Sequence, residues 1–430
     1  MLRANKGRAF RPGLAVSIVS LASIAGMCQP VAAATWCVAP GGAGSCYPSI
    51  SAVLGVVAPN DTVRVMAGTY KESVLVKVPI TIIGAGQNFT FIDATGMGNG
   101  IYVDGLDNPG LSNVTIQNLT VENANYEGIL VTNASSVSIW GNHVTNNNKG
   151  LNPTADTCIG IPAFETSEGE DCGEGIHLMA VDHSIVANNL VDFNSGGILS
   201  TDETGPTHDN LITGNTVTGN PYACGITLAS HPPAAPIVGP SPGIYRVTIV
   251  GNTSTYNGLG VAGAGAGVGI FDPSPGTKNY SHVVLNNQLI GNGLPGVAIH
   301  AHAPGQVMQD ITISGNTISA NGADTEDAAT PGPTGINVLG VTPVTGLIIA
   351  NNVIQDEGVS VAINTGANVQ VHLNNFDENS IGIDNLGTGT VTATQNWWGC
   401  AGGSGTAGCA TVSGSGVSTT APLQRQIIQQ

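Results

Sequence analysis

Short runs of alternating apolar and polar residues recur along most of the chain, and an Asn follows the apolar positions of each run. Nine of these segments align on their apolar residues: VSIWGNHV, HSIVANNL, NLITGNTV, VTIVGNTS, VVLNNQLI, ITISGNTI, LIIANNVI, VQVHLNNF and VTATQNWW. Alternation with a period of two is typical of β-strands that bury one face. The aligned positions are Asn142, Asn188, Asn215, Asn252, Asn287, Asn316, Asn352, Asn374 and Asn396.

A second type of strand follows most of these segments and opens with a small residue and then a β-branched one. Examples are GIHLMA at Gly175, GILSTD at Gly197 and GITLAS at Gly225. One such unit cannot bury its own apolar face, so the units must stack. Stacked parallel strands lie about 4.8 Å apart, which lets each Asn amide hydrogen-bond the neighbouring turn. The sequence therefore predicts an all-β fold, a right-handed parallel β-helix.

The two ends of the chain differ from the repeats. Residues 1–34 have a basic start, an apolar run and three small residues, which is the pattern of a secretory signal peptide. Residues 47–58 are predicted to form a short amphipathic helix that caps the first coil, because an open β-helix must cover its exposed strand edges. The β-helix is predicted to span residues 35–413, and the polar residues 414–430 are predicted to form a flexible tail.

Composition narrows the class of protein further. The 430 residues include 60 Gly, only 9% are charged, and the net charge is −17. Helical bundles are excluded by the Gly content, and the negative charge disfavours nucleic acid and anionic membranes as partners. No segment after the signal peptide is long and apolar enough to span a bilayer. We therefore expect a secreted or periplasmic protein.

Secretion implies an oxidising compartment in which close pairs of cysteines form disulfides. The predicted pairs are Cys37 with Cys46, Cys158 with Cys172, and Cys400 with Cys409. Cys224 is left outside these pairs.

The segment PNDTVRVMAGTYKESVLVKVPITIIGAG, residues 59–86, resembles the opening coil of the pectin-lyase-like β-helix superfamily. The resemblance extends over nearly the whole mature chain at the level of repeats, and it implies a glycan ligand bound in a groove along one sheet. The N-T-D, D-D, G-H-G and R-I-K motifs of polygalacturonase-like hydrolases are absent, as is the D-F-I-F-G segment of pectin methylesterases. The resemblance therefore predicts the fold without selecting a reaction.

Titratable residues concentrate in three consecutive coils, and two insertions flank them. The candidate catalytic residues are Glu174, His177, Asp202, Glu203, His208, Asp209 and His231. Glu174 and Asp202 are expected to be the principal carboxylates, with His177 and His231 assisting from outward-facing positions. The insertions are residues 152–174, which contain Glu165, Glu168, Glu170 and Asp171, and the Pro-rich residues 231–243. His300 and His302 are expected to be solvated.

Three functions remain open at this point. The first is a secreted enzyme that hydrolyses a glycan with paired carboxylates, which the scarcity of Lys and Arg favours. The second is a polysaccharide lyase or epimerase that uses His or Tyr with a metal ion. The third is a non-catalytic, carbohydrate-binding or cell-surface β-helix. No cofactor is identified, although Ca²⁺ binding by the acidic residues remains open.

Overall fold

A computed structural model describes residues 32–153, 157–162, 164, 172–233, 239–262, 264–325, 330 and 332–428. The predicted signal peptide lies almost wholly outside these residues. So do Glu165, Glu168, Glu170 and Asp171 of the first insertion and residues 234–238 of the second. The chain from Ala33 onward forms one structural unit.

Three long sheets contain most of the described strands. In the described part of the chain, the first sheet has 14 strands: β1 (Thr35–Val38), β2 (Asp61–Val65), β5 (Ile80–Gly84), β8 (Thr115–Gln117), β11 (Ser138–Trp140), β16 (Ile185–Ala187), β20 (Leu211–Thr213), β24 (Thr248–Val250), β28 (Val283–Leu285), β32 (Thr312–Ser314), β35 (Ile348–Ala350), β38 (Val369–His372), β41 (Val391–Thr394) and β43 (Val417–Ser418). The second sheet has 11 described strands: β3 (Gly68–Tyr70), β6 (Thr90–Asp93), β9 (Thr120–Glu122), β12 (His143–Thr145), β17 (Leu190–Asp192), β21 (Thr216–Thr218), β25 (Thr253–Thr255), β29 (Gln288–Ile290), β33 (Thr317–Ser319), β36 (Val353–Gln355) and β39 (Asn375–Asp377). The third sheet has 12 described strands: β4 (Val74–Val76), β7 (Ile101–Asp104), β10 (Ile129–Thr132), β15 (Ile176–Met179), β18 (Ile198–Thr201), β22 (Ile226–Ala229), β26 (Val268–Asp272), β30 (Val297–Ala301), β34 (Thr334–Gly340), β37 (Val359–Asn364), β40 (Ile381–Asn385) and β42 (Thr411–Gly414).

The chain visits the first, second and third sheets in turn and then returns to the first sheet one rung further on. Neighbouring strands are therefore parallel and in register, as Ile139 of β11 shows by pairing with Ile116 of β8 and Val186 of β16. This is the architecture of a parallel β-helix, so the predicted fold class is confirmed.

Two smaller sheets complete the described strands. A four-stranded parallel sheet lies in the connections between the third and first sheets, and contains β19 (Thr207–His208), β23 (Ile244–Tyr245), β27 (Lys278–Tyr280) and β31 (Val307–Gln309). In the first insertion, β13 (Leu151–Asn152) pairs antiparallel with β14 (Thr157–Cys158).

The interior of the coils is a continuous column of Ile, Val and Leu. In the third sheet, for example, Ile176 and Leu178 point into the core and are at most 1% exposed. Such β-branched and aliphatic residues stack well on the residues of the same position one rung away. The intervening positions of each strand point outward, and those of the third sheet hold the candidate site.

An Asn ladder lies at the turns between the first and second sheets, where the aligned Asn residues were predicted to stack. Oδ1 of Asn352 accepts hydrogen bonds from both the backbone N–H and Nδ2 of Asn316, at 3.0 and 2.9 Å. The arrangement repeats from Asn142 onward. One predicted member was wrong: Asn189 and not Asn188 is the ladder residue, because Asn188 takes the left-handed turn conformation at φ 54°.

A second Asn ladder lies between the second and third sheets, and the sequence analysis missed it. Its members follow those of the first ladder by five residues, and are Asn147, Asn194, Asn220, Asn257, Asn292, Asn321 and Asn379. Glu357 stands in the position between Asn321 and Asn379. The two ladders satisfy the buried turn backbone on both sides of the second sheet.

A short helix covers the N-terminal end as predicted, but it is shorter than the predicted residues 47–58. A Gly-rich series of turns, Pro40–Ser45, in which Gly41, Gly42 and Gly44 have positive φ, precedes a short helix, α1 (Ile50–Leu54), whose Ile50 and Val53 are buried. Ser49 caps the helix by accepting a hydrogen bond from the N–H of Ala52.

The C-terminal residues differ from the flexible tail that the sequence predicted. Val417–Ser418 form the last strand of the first sheet, and the N–H of Leu423 donates to the carbonyl of Asn396. The backbone of Ile427 makes two hydrogen bonds with the side chain of Asn375. Residues 417–427 therefore pack on the last coils.

The structure confirms the three predicted disulfides, Cys37–Cys46, Cys158–Cys172 and Cys400–Cys409. Cys224 is buried and takes part in none of them. Among the described residues, no helix has the length and hydropathy that crossing a bilayer requires.

Candidate functional site

A column of residues precedes the third sheet, one residue per coil, immediately before the Gly that opens each strand. Its successive members are Glu127, Glu174, Gly196 and Cys224, because the N–H of each opening Gly donates to the carbonyl of the column residue one coil further on. Glu174 and Cys224 are thus two rungs apart, as their sequence positions predicted. Glu127 and Glu174 are 0% and 3% exposed, so two carboxyl groups are buried on adjacent rungs.

His177 lies on the outer face of the third sheet, where it was predicted, but it is fully buried rather than exposed. Its Nδ1 is 3.5 Å from Oε1 of Glu127, and its Nε2 is 2.9 Å from the hydroxyl of Thr201. Burial disfavours the charged imidazolium and lowers the pKa of His177 to about 4. His177 is therefore neutral at neutral pH.

Glu203 and His231 form a buried carboxylate–imidazole pair beside Thr201. Nδ1 of His231 is 2.9 Å from Oε1 of Glu203, and the two side chains are 2% and 3% exposed. Burial opposes ionisation of Glu203, but the charge of His231 and its hydrogen bond outweigh burial and lower the pKa of Glu203. A hydrogen bond from Thr201 contributes to the same shift. Glu203 is therefore a carboxylate.

These five side chains form a connected series, which we call the relay: Glu127, His177, Thr201, Glu203 and His231. The Thr201 hydroxyl has one proton, and the Glu203 carboxylate can only accept, so Thr201 donates to Glu203. Thr201 then accepts from Nε2–H of His177, which leaves Nδ1 of the neutral ring as an acceptor facing Glu127. The relay thus contains a neutral imidazole that can take a proton and a second imidazole oriented by a carboxylate.

Asp202 was expected to be a principal catalytic carboxylate, and the structure shows its carboxylate within a dense hydrogen-bond network. Asp202 is fully buried and accepts from the N–H groups of His231 and Gly243 at 2.7 and 2.6 Å, and from the hydroxyls of Ser230 and Ser241. Its contact with His231 runs through the backbone. Four donors occupy the carboxylate, so Asp202 ties the second insertion to the coil.

The pKa of Asp202 is nevertheless raised to about 6, because burial outweighs these hydrogen bonds.

His208 and Asp209 do not join the relay but lie at the four-stranded sheet. Nδ1 of His208 is 2.8 Å from Oδ2 of Asp209, and Arg246 donates two hydrogen bonds to the same carboxylate. The ring of His208 stacks on Tyr245 at 4.7 Å, and Tyr245 stacks on Tyr280 at 4.9 Å. These residues form a separate ladder.

His300 was expected to be solvated, but it is only 2% exposed. It lies on the outer face of the third sheet, three rungs beyond Thr201, with its Nε2 3.0 Å from Oδ2 of Asp324. Asn337 donates to Asp324 and contacts the same nitrogen of His300 at 3.1 Å. The ring of His302 meets that of His300 edge to face at 5.2 Å. The polar surface of the third sheet is therefore longer than the three predicted coils.

Described parts of both insertions lie against the third-sheet coils that surround the relay. Phe164 of the first insertion lies beside Tyr102, which points outward from β7, and the centroids of the two rings are 6.3 Å apart. Ser241 and Gly243 of the second insertion are held by Asp202, next to Glu203 in the chain.

Sequence reasoning missed Glu127 and did not include Thr201 among the candidates. A signal for Glu127 was present, because the tripeptide EGI occurs at residues 127–129 and again at residues 174–176. The repeat places Glu127 directly next to Glu174 in the column. Thr201 carries no sequence signal of its own, since a Thr on an outward strand position is common.

Comparisons with known proteins agree with this fold. A family model described as a right-handed β-helix region matches residues 80–239, so the helix is right-handed, as the resemblance to the pectin-lyase-like superfamily implied. No curated protein matches the sequence.

Among solved structures, the catalytic domain of a GH87 α-1,3-glucanase in complex with tetrasaccharides has a TM-score of 0.55 at 14% identity, covering 84% of this chain and 63% of that one. A DFA-IIIase from Arthrobacter chlorophenolicus A6 in complex with GF2 has a TM-score of 0.50 at 14% identity, covering 86% and 93%. ORF18 of Geobacillus virus E2 has a TM-score of 0.49 at 11% identity, covering 80% of this chain and 57% of that one. At 14% identity, the likeness to the glucanase and the DFA-IIIase is one of fold alone.

Proposed function

We propose that the protein is a secreted glycan-processing enzyme that hydrolyses a neutral polysaccharide or oligosaccharide on the outer face of the third sheet. The observation that carries this proposal is the relay, in which two carboxyl groups, two imidazoles and a hydroxyl converge outside the apolar core. Burying ionisable groups costs folding free energy. Clusters of such groups with shifted pKa values are typical of catalytic sites.

The relay offers the two proton transfers that glycoside hydrolysis needs. One group must protonate the leaving glycosidic oxygen, and another must take a proton from the attacking water. We assign the first role to His231, whose Nδ1 lies 2.9 Å from Oε1 of Glu203, because a neighbouring carboxylate orients an imidazole and favours its protonated form. We assign the second to the neutral His177, whose Nδ1 faces Glu127. His177, Glu203 and His231 were among the residues that the sequence indicated.

The charge of the binding face supports a neutral substrate. None of the described strands of the third sheet contains Lys or Arg. A uronate polymer would bring a carboxylate on each sugar unit to a face that already holds the Glu203 carboxylate, and like charges in one site repel. The fold analogy also points to a glycan ligand, since the similar glucanase is complexed with tetrasaccharides and the similar DFA-IIIase with GF2.

Elimination or epimerisation is the second candidate, and one observation favours it. Tyr102 lies on the same outer face, with its hydroxyl 3.1 Å from Oγ1 of Thr132 and 3.3 Å from Oδ1 of Asp104. A Tyr and a neutral His on one face are the groups that such a reaction would use in place of Lys or Arg. That reaction would also need a metal ion to neutralise the uronate.

Secretion is part of the proposal. The three disulfides are typical of an oxidising compartment. The predicted leader of residues 1–34 provides the route to that compartment.

The test is to incubate purified protein with a panel of neutral and uronate glycans, with and without a chelator, and to assay both new reducing ends and unsaturated products. Hydrolysis predicts reducing ends without unsaturation, from a neutral glycan, in the presence of chelator. Glu203→Gln and His231→Asn should each lower turnover by about 10² to 10⁴-fold, the usual contribution of acid–base groups.

The matched control is His143→Asn on the second sheet, where Nε2 of His143 is 2.8 Å from Oδ1 of Asp192. This variant also loses a His–carboxylate pair, but should retain activity. Full turnover by folded Glu203→Gln and His231→Asn would remove the relay from catalysis. Glycan binding without any turnover by the wild-type protein would favour the non-catalytic reading, and unsaturated products would favour elimination.

A further inference from the structure

A second group of chemically active side chains lies at the four-stranded sheet, away from the relay. His183, His208 and Asp209 each offer one ligand atom, and these atoms all lie within 4.8 Å of one another. The three residues come from two successive coils. Asp182 forms a parallel β-bridge with His208, and the N–H of His183 donates to the carbonyl of His208. We propose that His183, His208 and Asp209 form a binding site for a divalent transition-metal ion, with Zn²⁺ as the best-matched ion.

The donor set fits this ion class. Imidazole nitrogen and carboxylate oxygen are ordinary Zn²⁺ ligands, and three protein ligands with a water in the fourth position make an open tetrahedral site. Bonds of about 2.0–2.2 Å place tetrahedral ligand atoms about 3.3–3.5 Å apart. Nε2 of His183 is 4.0 Å from Oδ2 of Asp209, and Nδ1 of His208 is 2.8 Å from the same oxygen. The first distance is longer and the second is shorter than the separation of ligand atoms in a tetrahedral site.

Small side-chain rotations would bring the three atoms to a common ion. The side chain of His183 is 62% exposed, and those of His208 and Asp209 are 19% and 27% exposed. His183 is therefore the ligand that can move most freely, whereas His208 stays stacked on Tyr245. The ion would replace the proton that His208 and Asp209 now share.

Asp182 provides an independent sign of a metal ligand. Its Oδ1 is 2.6 Å from Nδ1 of His183. An imidazole whose Nδ1–H donates to a carboxylate has its Nε2 free of a proton, which is the tautomer that binds a metal, and carboxylate partners of this kind orient metal-binding histidines in proteins. In His183 this unprotonated Nε2 is the atom that faces Asp209.

Arg246 opposes the ion and thereby supplies a test. Its guanidinium donates to both oxygens of Asp209, at 2.7 and 2.6 Å. A divalent ion must share this carboxylate with a fixed positive charge. Removing that charge in Arg246→Gln should therefore tighten metal binding.

The experiment is isothermal titration of Zn²⁺ into protein purified without a histidine tag and treated with chelator. Visible absorption of bound Co²⁺ serves as a second readout of coordination. We expect one site per chain. His183→Ala and His208→Ala should abolish it, and Asp182→Asn should weaken it by about 10 to 100-fold, the usual effect of losing an outer carboxylate.

His143→Ala is the matched control, because it removes an imidazole from another His–Asp pair, His143 with Asp192. Among the described residues, that pair is not part of a three-ligand group. It should bind Zn²⁺ as the wild-type protein does. Wild-type protein that binds no Zn²⁺, or His183→Ala and His208→Ala proteins that bind it unchanged, would overturn the site. Unchanged or weaker binding by Arg246→Gln would overturn the assignment of Asp209 as third ligand.

Discussion

Replacing Glu357 by Gln should stabilise the protein in a pH-dependent manner. Glu357 occupies a position of the second Asn ladder, where its Oε1 accepts from the N–H and Nδ2 of Asn321 at 3.1 and 2.9 Å. Its Oε2 has no hydrogen-bond partner among the described residues. Burial disfavours the carboxylate and raises the pKa of Glu357 from the ordinary 4.5 to about 7.

The sign follows from proton linkage. The folded state keeps a proton that the unfolded state loses between pH 4.5 and about 7, so wild-type stability falls as pH rises through that window. At about 1.4 kcal/mol per pH unit, the shift corresponds to a loss of about 3 kcal/mol once pH exceeds 7. Glu357→Gln carries no charge and supplies an amide like that of the Asn residues. It should therefore be more stable than wild type by about 3 kcal/mol near pH 8 and differ by less than about 1 kcal/mol near pH 4.

The assay is urea unfolding at several pH values, followed by circular dichroism. Glu378→Gln is the matched control, since Glu378 is an exposed carboxylate one coil away, and its stability should match wild type at every pH. A stability gain by Glu357→Gln that does not change with pH would refute the linkage argument. So would an equal gain by Glu378→Gln.

Three further predictions concern stability. Asn316→Leu should cost about 1–3 kcal/mol of unfolding free energy in urea titrations, because it leaves ladder backbone groups unsatisfied, whereas Leu at the exposed Gln288 should cost less than about 0.5 kcal/mol. Equal costs would contradict the ladder. Asp202→Ala should cost about 2–4 kcal/mol, since four donors lose their acceptor, and a neutral effect on melting temperature would contradict its capping role. Burial lowers the pKa of His282 to about 3, so wild-type stability should fall as pH drops below 6.5, and His282→Asn should reduce that fall in acid unfolding. An unchanged acid profile would contradict this.

The fold was readable from sequence because its rule is local and repeated. Alternating apolar residues and an Asn in each coil specify which face is buried and which turn needs an amide. The second ladder was readable too, since its Asn residues follow those of the first by five positions, as Asn142 and Asn147 show. The error at Asn188 arose because two adjacent Asn residues fill the turn and only Asn189 points inward.

The candidate site was only partly predictable, because sequence gives the rung of a side chain but not its partners. His177, Glu203 and His231 lie close together as their coils suggested. Asp202 and Glu203 are neighbours in sequence, yet their contacts differ. The Asp202 carboxylate accepts hydrogen bonds from backbone N–H and hydroxyl groups, whereas Glu203 pairs with the side chain of His231. That division depends on where the second insertion returns to the coil, which no local pattern encodes.

The structure of the Glu203→Gln protein in complex with the oligosaccharide that the wild-type enzyme turns over would test the central claim most directly. The proposed function predicts sugar on the outer face of the third sheet, with a glycosidic oxygen within hydrogen-bond distance of His231 and a water near Nδ1 of His177. Sugar bound on the first or second sheet, or bound to the third sheet without contact to His177 or His231, would contradict it.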